Sequence, residues 1–339
     1  MKHGVAIVGA GVSGLTCGVV FAERGHRTTI FAREIGQQTT SAVAGALWFP
    51  YDVEPANKAI PWALETYQTL VGLARNAETG VSMIELLQLS RIGKIQIPEW
   101  AVPLGARKLS TGGTILGRRA GGSRGKRFDT GRPLRNFFQS GFSLRVPLMD
   151  TAIYLDYLTD RFLKAHGQIT ENVHLENLEN VDSKFDLVIN CAGIGARELV
   201  RDTDLKPHRG QVAIVPRIKD LSCAVVCDDA PLMYAIPRRT DCVFGGTNDF
   251  SDDLAVDSAT TARIVAECSR TLKIEKPNVL AERVGLRPFR KSGVRLERAP
   301  LRDGRSAVHN YGHGGAGFTL SWGCAAEVLQ RGNQSPATT

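Results

Sequence analysis

Val5-Ala6-Ile7-Val8-Gly9-Ala10-Gly11-Val12-Ser13-Gly14 joins a short apolar strand directly to a glycine turn. Leu15-Thr16-Cys17-Gly18-Val19-Val20-Phe21-Ala22-Glu23-Arg24 follows with apolar residues at helical spacing and stops at Gly25. Gly9, Gly11 and Gly14 stand in the G-x-G-x-x-G register, in the strand–turn–helix context that gives this spacing its meaning. Gly9 permits the tight turn, Gly11 lets a pyrophosphate reach the backbone, and Gly14 lets the helix lie close to the strand. Ala10, Val12 and Ser13 bring their backbone to the same place, where a helix N-terminus offers free N–H groups and a positive dipole end. The stretch predicts dinucleotide binding.

Working outward, Thr28-Thr29-Ile30-Phe31-Ala32 reads as the second strand. An acid is expected at its end to bond the adenosine ribose. Arg33 stands there instead, followed by Glu34. Either Arg33 meets a 2′-phosphate, which means NADP, or the ribose is held by backbone groups or Glu34; the fingerprint alone leaves both open. Gln37 to Tyr51 is unlike a third strand of such a fold. The hydroxyls of Thr39, Thr40 and Ser41 precede the small residues Ala42 to Ala46, then Leu47-Trp48-Phe49-Pro50-Tyr51, and the run reads as a cofactor-lining loop.

The 339 residues suffice for two domains, and 43% hydrophobic with 22% charged residues is ordinary for a globular chain. Seven cysteines, odd in number and scattered without a C-x-x-C pair, point to a reduced, cytoplasmic protein. No run approaches the roughly 18 apolar residues of a membrane helix, so no membrane partner is expected. The net charge of +8 invites a nucleic-acid reading. Most of it sits between Gly105 and Pro133, where Arg107, Lys108, Arg118, Arg119, Arg124, Lys126, Arg127 and Arg132 face only Asp129. With Phe128 its one aromatic, this insertion (105–133) is expected to be a mobile surface loop, and nucleic acid is set aside.

Helices are expected over Trp62–Arg75, over Thr151–His166 with Asp150 as cap and Ile153, Tyr157, Leu158 and Phe162 inward, and over Ser258–Thr271 capped by Asp257 or Ser258. Phe185 to Gly193 reads as a buried strand running into small residues, a second place where backbone approaches a cofactor. Short strands at Val212–Val215, Val225–Cys227, Met233–Ile236 and Cys242–Gly245 suggest an antiparallel sheet.

Chemistry concentrates near the end. Gly285-Leu286-Arg287-Pro288, Val294-Arg295-Leu296-Glu297-Arg298 and His309-Asn310-Tyr311-Gly312-His313-Gly314-Gly315-Ala316-Gly317-Phe318-Thr319 precede a last helix. So many glycines are costly in chain entropy and make a second cradle, at a second helix N-terminus. His309 and His313 lie on a glycine loop with no acidic or third ligand nearby, so hydrogen bonding is expected of them rather than metal ligation.

These pieces, with Thr39-Thr40-Ser41…Phe49-Pro50-Tyr51, Val188-Ile189-Asn190-Cys191-Ala192-Gly193, Arg209-Gly210-Gln211 and Gly245-Gly246-Thr247, resemble the D-amino-acid oxidase family of FAD enzymes from Val5 to about Gln330. The resemblance implies an α/β fold. A Rossmann-like FAD-binding domain built from discontinuous segments (1–50, 140–195 and 282–332) accompanies a substrate domain with a mixed, largely antiparallel sheet (51–139 and 196–281). The tail 333–339 is expected to be disordered.

It further implies oxidative deamination of D-amino acids, hydride passing from Cα to flavin N5 and oxygen yielding hydrogen peroxide, with a 2-oxo acid and ammonia as the other products. Arg287 resembles the arginine that clamps the substrate carboxylate, for which a guanidinium fork is a bidentate match. Tyr234 resembles the tyrosine sharing that carboxylate, and Gly315 the glycine whose carbonyl meets the amine. Ala46 and Leu47 are implied to bond the flavin edge, Leu175 the adenine, and Gly314, Gly317, Phe318 and Thr319 the pyrimidine end, with Gly312 also at the cofactor. Gly193 lies along the cofactor, and Phe49 and Ile236 shape the side-chain pocket. Two departures suggest an open entrance: Asp228-Asp229-Ala230-Pro231 is short and lacks an aromatic, and Ala316 stands where an aromatic is common. Arg238 and Arg239 could reach a second carboxylate, but are expected to lie past the strand and face solvent; D-aspartate or glycine oxidation remains an alternative. So does an NADP-dependent reductase, favoured by Arg33 alone. A homodimer is left open.

Overall fold

A computed structural model describes residues 4–51, 53–109 and 138–334. Most of the basic insertion (110–133) and all but Asn333 and Gln334 of the expected tail lie outside the described residues. Among the described residues the fold is α/β, with two sheets.

The first sheet has six strands in the order Arg295–Pro300, Ser306–Tyr311, Leu187–Asn190, Gly4–Val8, Arg27–Phe31, Gln168–Thr170. All pairings are parallel except that of the edge strand Arg295–Pro300. Strands of a parallel sheet are covered on both faces, which is why Gly4–Val8 is buried along its whole length. Val5 and Ile7 face the core that includes the helices Val12–Ala22, Thr151–Lys164 and Gly317–Gly332, while Ala6 and Val8 face Leu178, Val181, Phe185 and Leu199. The strands come from well-separated stretches of chain.

The second sheet, nine-stranded among the described residues, runs Asp249–Phe250, Leu205–Pro216, Asp241–Gly245, Met233–Pro237, Cys223–Cys227, Val81–Ser90, Ser140–Met149, Arg107–Lys108, with Ala281–Arg290 also on Leu205–Pro216. Only the pairing of Val81–Ser90 with Cys223–Cys227 is parallel. Alternation splits its side chains between two cores. Leu86, Leu144, Val212 and Ile236 join the core shared with the first sheet. Leu87, Leu89, Ala213, Val225 and Phe244 pack with Ile264, Val265 and Cys268 of the helix Ser258–Leu272. Ser140–Met149 and Ala281–Arg290 begin inside or next to stretches assigned by resemblance to the FAD unit, yet they hydrogen-bond in this second sheet.

Local details differ from the sequence reading for identifiable reasons. The first long helix spans Ala56–Leu73, not Trp62–Arg75. Pro61 interrupts the periodic signal without breaking the helix, and Pro55 supplies the carbonyl that Lys58 and Ala59 bond. Asp150 occupies the N-cap position of Thr151–Lys164 but makes no side-chain cap; its backbone N–H bonds Gly80. That helix buries Tyr154 and Leu155 beside Leu158 and Phe162, leaving Ile153 and Tyr157 half-buried. Asp257 does cap Ser258–Leu272, accepting from the N–H groups of Ala259 and Thr260.

Candidate active site

A cleft of about 490 Å³ opens beyond the carboxyl ends of Gly4–Val8, Arg27–Phe31 and Leu187–Asn190 and runs onto the inner face of the second sheet. This is the place where open parallel sheets bind ligands. The glycine turn forms one end. Gly9 adopts φ +107°, and a Cβ there would lie 2.4 Å from the Cys191 carbonyl oxygen. At Gly14 a Cβ would lie 1.9 Å from the Gly9 oxygen, so only glycine lets helix and strand meet. The Val12 N–H donates to the Ser41 hydroxyl at 3.0 Å, tying the hydroxyl run to the helix start.

Gly9, Ala10, Gly11, Val12, Ser13, Arg33, Glu34, Thr39, Thr40, Ser41, Ala46, Leu47, Leu175 and Gly193 all line the cleft, as do Gly314, Gly315, Gly317 and Phe318 at its other end. Three residues expected at the cofactor do not. Gly14 lies behind the turn. Gly312 turns the chain at φ +84°, where a Cβ would press on Arg290. The Thr319 hydroxyl accepts from the Phe49 N–H and donates to the Phe49 carbonyl, both at 3.1 Å, so it fixes the loop that carries Phe49. Ala316 is fully buried off the cleft and does not shape its entrance.

Arg33 pairs with Glu34 at 3.3 Å, both side chains exposed at the rim. That neutralisation argues against a 2′-phosphate clamp. The run from the glycine turn past Gly193 to the N-terminus of Gly317–Gly332 offers a bare backbone cradle at both ends of one cleft. At Gly193 a side chain would meet nothing within 4 Å. These residues fit an extended dinucleotide carrying a flat ring.

The ring end abuts Arg287 and Tyr234. Arg287 donates to the Thr247 carbonyl at 2.8 Å and contacts Asn248 Oδ1 at 3.4 Å. Its guanidinium lies on Gly210, where a Cβ would sit 2.5 Å from Cζ and both terminal nitrogens, and a Cβ on Gly315 would lie 3.6 Å from the Arg287 Cδ. Among the described residues no carboxylate pairs with it. Tyr234 lies flat on Gly245, where a Cβ would be 2.0 Å from the ring. Burial raises its phenol above the ordinary value, against the opposing pull of the Arg287 cation. Ile236 packs against Gly45, and Phe49 stacks edge-on with Trp100 at 5.5 Å. Gln88, Asn248 and Asp228 also line the cleft. Gln88 carried one sequence signal, a polar residue on the same face of its strand as Leu86.

Arg238 and Arg239 do not reach the cleft. Arg238 is largely buried and bonds Asp241 through two contacts of 2.6 and 2.9 Å, rather than facing solvent. Arg239 donates to the Ala77 carbonyl.

His309 and His313 are buried and bonded to asparagines: His309 Nδ1 lies 3.4 Å from Asn190 Nδ2, and His313 Nε2 lies 3.0 Å from Asn310 Oδ1. Desolvation lowers both to about 4, aided at His309 by the Arg295 cation. The unfolded chain binds these protons near pH 6.5 and the folded chain does not. Stability is therefore full above about pH 6.5 and is lost as the pH falls toward about 4, by on the order of 3 kcal/mol per histidine. Thermal melts across this range should show the decline, and His313→Asn should flatten it; an equal slope in the variant would remove His313 as its source. Among the described residues no group of His, Cys, Asp and Glu is arranged to hold a metal.

A fingerprint turn on a mainly parallel sheet, opening into a cleft that ends at an arginine with no paired acid among the described residues, fits a dinucleotide-dependent oxidoreductase. A family model described as FAD dependent oxidoreductase matches residues 4–331. The chain is 39% identical to a D-amino-acid oxidase of Streptomyces coelicolor over 96% of its own length and 95% of the relative. It is 36% identical to a D-amino-acid oxidase of Rubrobacter xylanophilus (95% and 93%) and 32% identical to a human D-aspartate oxidase (96% and 93%). Glycine oxidase from Geobacillus kaustophilus shares the fold with a TM-score of 0.78 at 17% identity, covering 99% of this chain and 96% of that one. The chain belongs to the D-amino-acid oxidase family of FAD-dependent oxidoreductases, and its cofactor is FAD. The NADP reading of Arg33 is thereby set aside.

Proposed function

We propose that the protein oxidises D-amino acids to 2-oxo acids, with release of ammonia and hydrogen peroxide. The observation that carries this reading is Arg287: a guanidinium bedded between Gly210 and Gly315, beside Tyr234, with no acid of its own among the described residues. A cation so placed is matched by a substrate carboxylate, bound through the two-pronged fork. The Tyr234 hydroxyl donates to the same carboxylate, and the Gly315 carbonyl orients the amine. FAD supplies the two-electron acceptor, returned to its oxidised form by molecular oxygen. The contribution of the chain is to hold carboxylate and amine at two fixed points, so that Cα faces the cofactor with one hydrogen; positioning rather than a side-chain base carries the step.

Two further parts belong to this reading. The six-stranded sheet with its helices carries FAD and the nine-stranded sheet carries the substrate residues, with Arg287 and Tyr234 supplied by the second. The setting is cytoplasmic, supported by seven cysteines that are all free. D-aspartate oxidation is the second reading, favoured by the human relative. The cleft argues against it, because Arg238 and Arg239, the arginines that could have reached a second carboxylate, are held by Asp241 and the Ala77 carbonyl.

Peroxide release over a panel of D- and L-amino acids tests the proposal. Turnover of several neutral D-amino acids and none of their L forms is expected; turnover of L forms alone, or of D-aspartate alone, would overturn it.

A further inference from the structure

Arg287 and Gly315, which fix the substrate carboxylate and amine, sit opposite each other in a short antiparallel pairing that ties the two sheets together. Phe289 bridges His313, the Gly314 N–H donates to the Pro288 carbonyl at 2.9 Å, and a Cβ on Gly312 would lie 3.0 Å from the Arg290 Cβ. In this register Arg287 faces Gly315, where a Cβ would lie 3.6 Å from the Arg287 Cδ. Ala281–Arg290 belongs to the second sheet, whereas His313 to Gly315 follow Ser306–Tyr311 of the first. The spacing between carboxylate anchor and amine acceptor is therefore set by how the two sheets meet along this seam. A glycine-rich pairing specifies its own register weakly, because it has few side chains to lock it.

A buried carboxylate at the end of the seam supplies the lock. Asp202 lies between the helix Ala196–Leu199 and the strand Leu205–Pro216, and its side chain is 6% exposed. Its Oδ2 accepts from the Tyr311 hydroxyl at 2.7 Å and from Arg290 Nε at 2.9 Å. Its Oδ1 accepts from the Asp204 N–H at 3.0 Å. Tyr311 ends a first-sheet strand one residue before Gly312, and Arg290 ends a second-sheet strand three residues after Arg287. One carboxylate oxygen thus holds both sides of the seam. Arg295 Nη1 donates to the Tyr311 oxygen at 2.7 Å, which leaves the phenolic proton for Asp202. Charge-assisted bonds of this kind are short and strong. Asp202, Tyr311 and Arg290 do not line the cleft, so the cluster acts on the reaction only through the residues it holds.

We propose that Asp202 is a positioning residue for the oxidation: by pinning Tyr311 to Arg290 it fixes the register of the seam, and with it the distance between the Arg287 fork and the Gly315 carbonyl. Loss of the pin leaves each anchor in place but loosens their spacing. A ligand that uses the carboxylate anchor alone still binds, whereas a D-amino acid held at both points presents its Cα less accurately. A misplacement of about 1 Å costs up to about a hundredfold in rate. The proposal rests on the D-amino-acid oxidase reading above.

The test compares D-alanine with propionate, the same molecule without its amine, on the FAD-loaded enzyme. The limiting rate of flavin bleaching by D-alanine without oxygen reads the chemical step, and the change in flavin absorbance on titration reads the propionate Kd. Tyr311→Phe, which keeps Asp202 and both arginines, should slow bleaching about tenfold and leave the propionate Kd within about twofold of wild type. Asp202→Asn, which keeps the shape and removes the charge, should slow bleaching further at the same propionate Kd. Because Asp202→Asn strips Arg290 and Arg295 of a buried counter-charge and strains folding itself, Tyr311→Phe carries the decision. A merely structural cluster would lower Tm and leave bleaching of the folded, flavin-loaded Tyr311→Phe at the wild-type rate. That result, or a loss of propionate binding in step with the bleaching rate, overturns this proposal and leaves the oxidase reading standing. A wild-type enzyme inert toward every D-amino acid removes both.

Discussion

Arg287→Ala is expected to lower kcat/KM for D-alanine by about 10²–10³-fold, most of it as a rise in KM. The reasoning is local. Nη1 of the guanidinium is engaged by the Thr247 carbonyl and Asn248 Oδ1, and Arg287 lines the cleft. Charge-assisted bonds to a carboxylate are the strong ones, and truncation leaves the substrate anion without a cation, on the Tyr234 hydroxyl alone. Gly210 contributes by its missing side chain, since a Cβ would overlap the guanidinium at 2.5 Å. Arg287→Lys should recover only part of the loss, because an ammonium keeps the charge without the planar fork. Steady-state kinetics with D-alanine decide the matter; wild-type kcat/KM in Arg287→Ala would show that the carboxylate binds elsewhere.

Gly14→Ala is expected to give a largely colourless protein. Its Cβ would be placed 1.9 Å from the Gly9 carbonyl oxygen, and backbone rather than a movable side chain is what it strikes. Helix Val12–Ala22 must then shift off strand Gly4–Val8, carrying the N–H groups of Gly11 to Ser13 away from the pyrophosphate position. Overpacking of this kind costs about 3 kcal/mol, equivalent to roughly hundredfold weaker FAD binding. Flavin absorbance after gel filtration, with circular dichroism to check the fold, measures both parts. Undiminished flavin content would mean that the helix accommodates the methyl group.

The readability of this chain follows sequence separation. Gly9–Gly14 was legible because strand, turn and helix are contiguous and each glycine answers to a local steric demand. The cysteine pattern and the Asp257 cap were legible for the same reason. Trp62–Arg75 was misplaced at its start because Pro61 hides inside a helix that tertiary packing carries through. Arg33 and Glu34 left a 2′-phosphate contact and a ribose contact equally open in the sequence; that the two pair with each other is a matter of side-chain geometry. Arg238 was expected to face solvent, and instead it is buried against Asp241, a contact that only the folded hairpin creates.

The sequence by itself determined the nucleotide turn, the mixed α/β architecture and, through motifs spread over the whole chain, the kinship with FAD oxidases. The tertiary structure alone decided the pocket. Gln88 and Asp228 are 140 residues apart and meet because one pairing in the second sheet is parallel. Arg287 finds its bed because Gly210 and Gly315 close on it from different parts of the chain. Such contacts are set by strand register and by the packing of two sheets, which no run of neighbouring residues encodes.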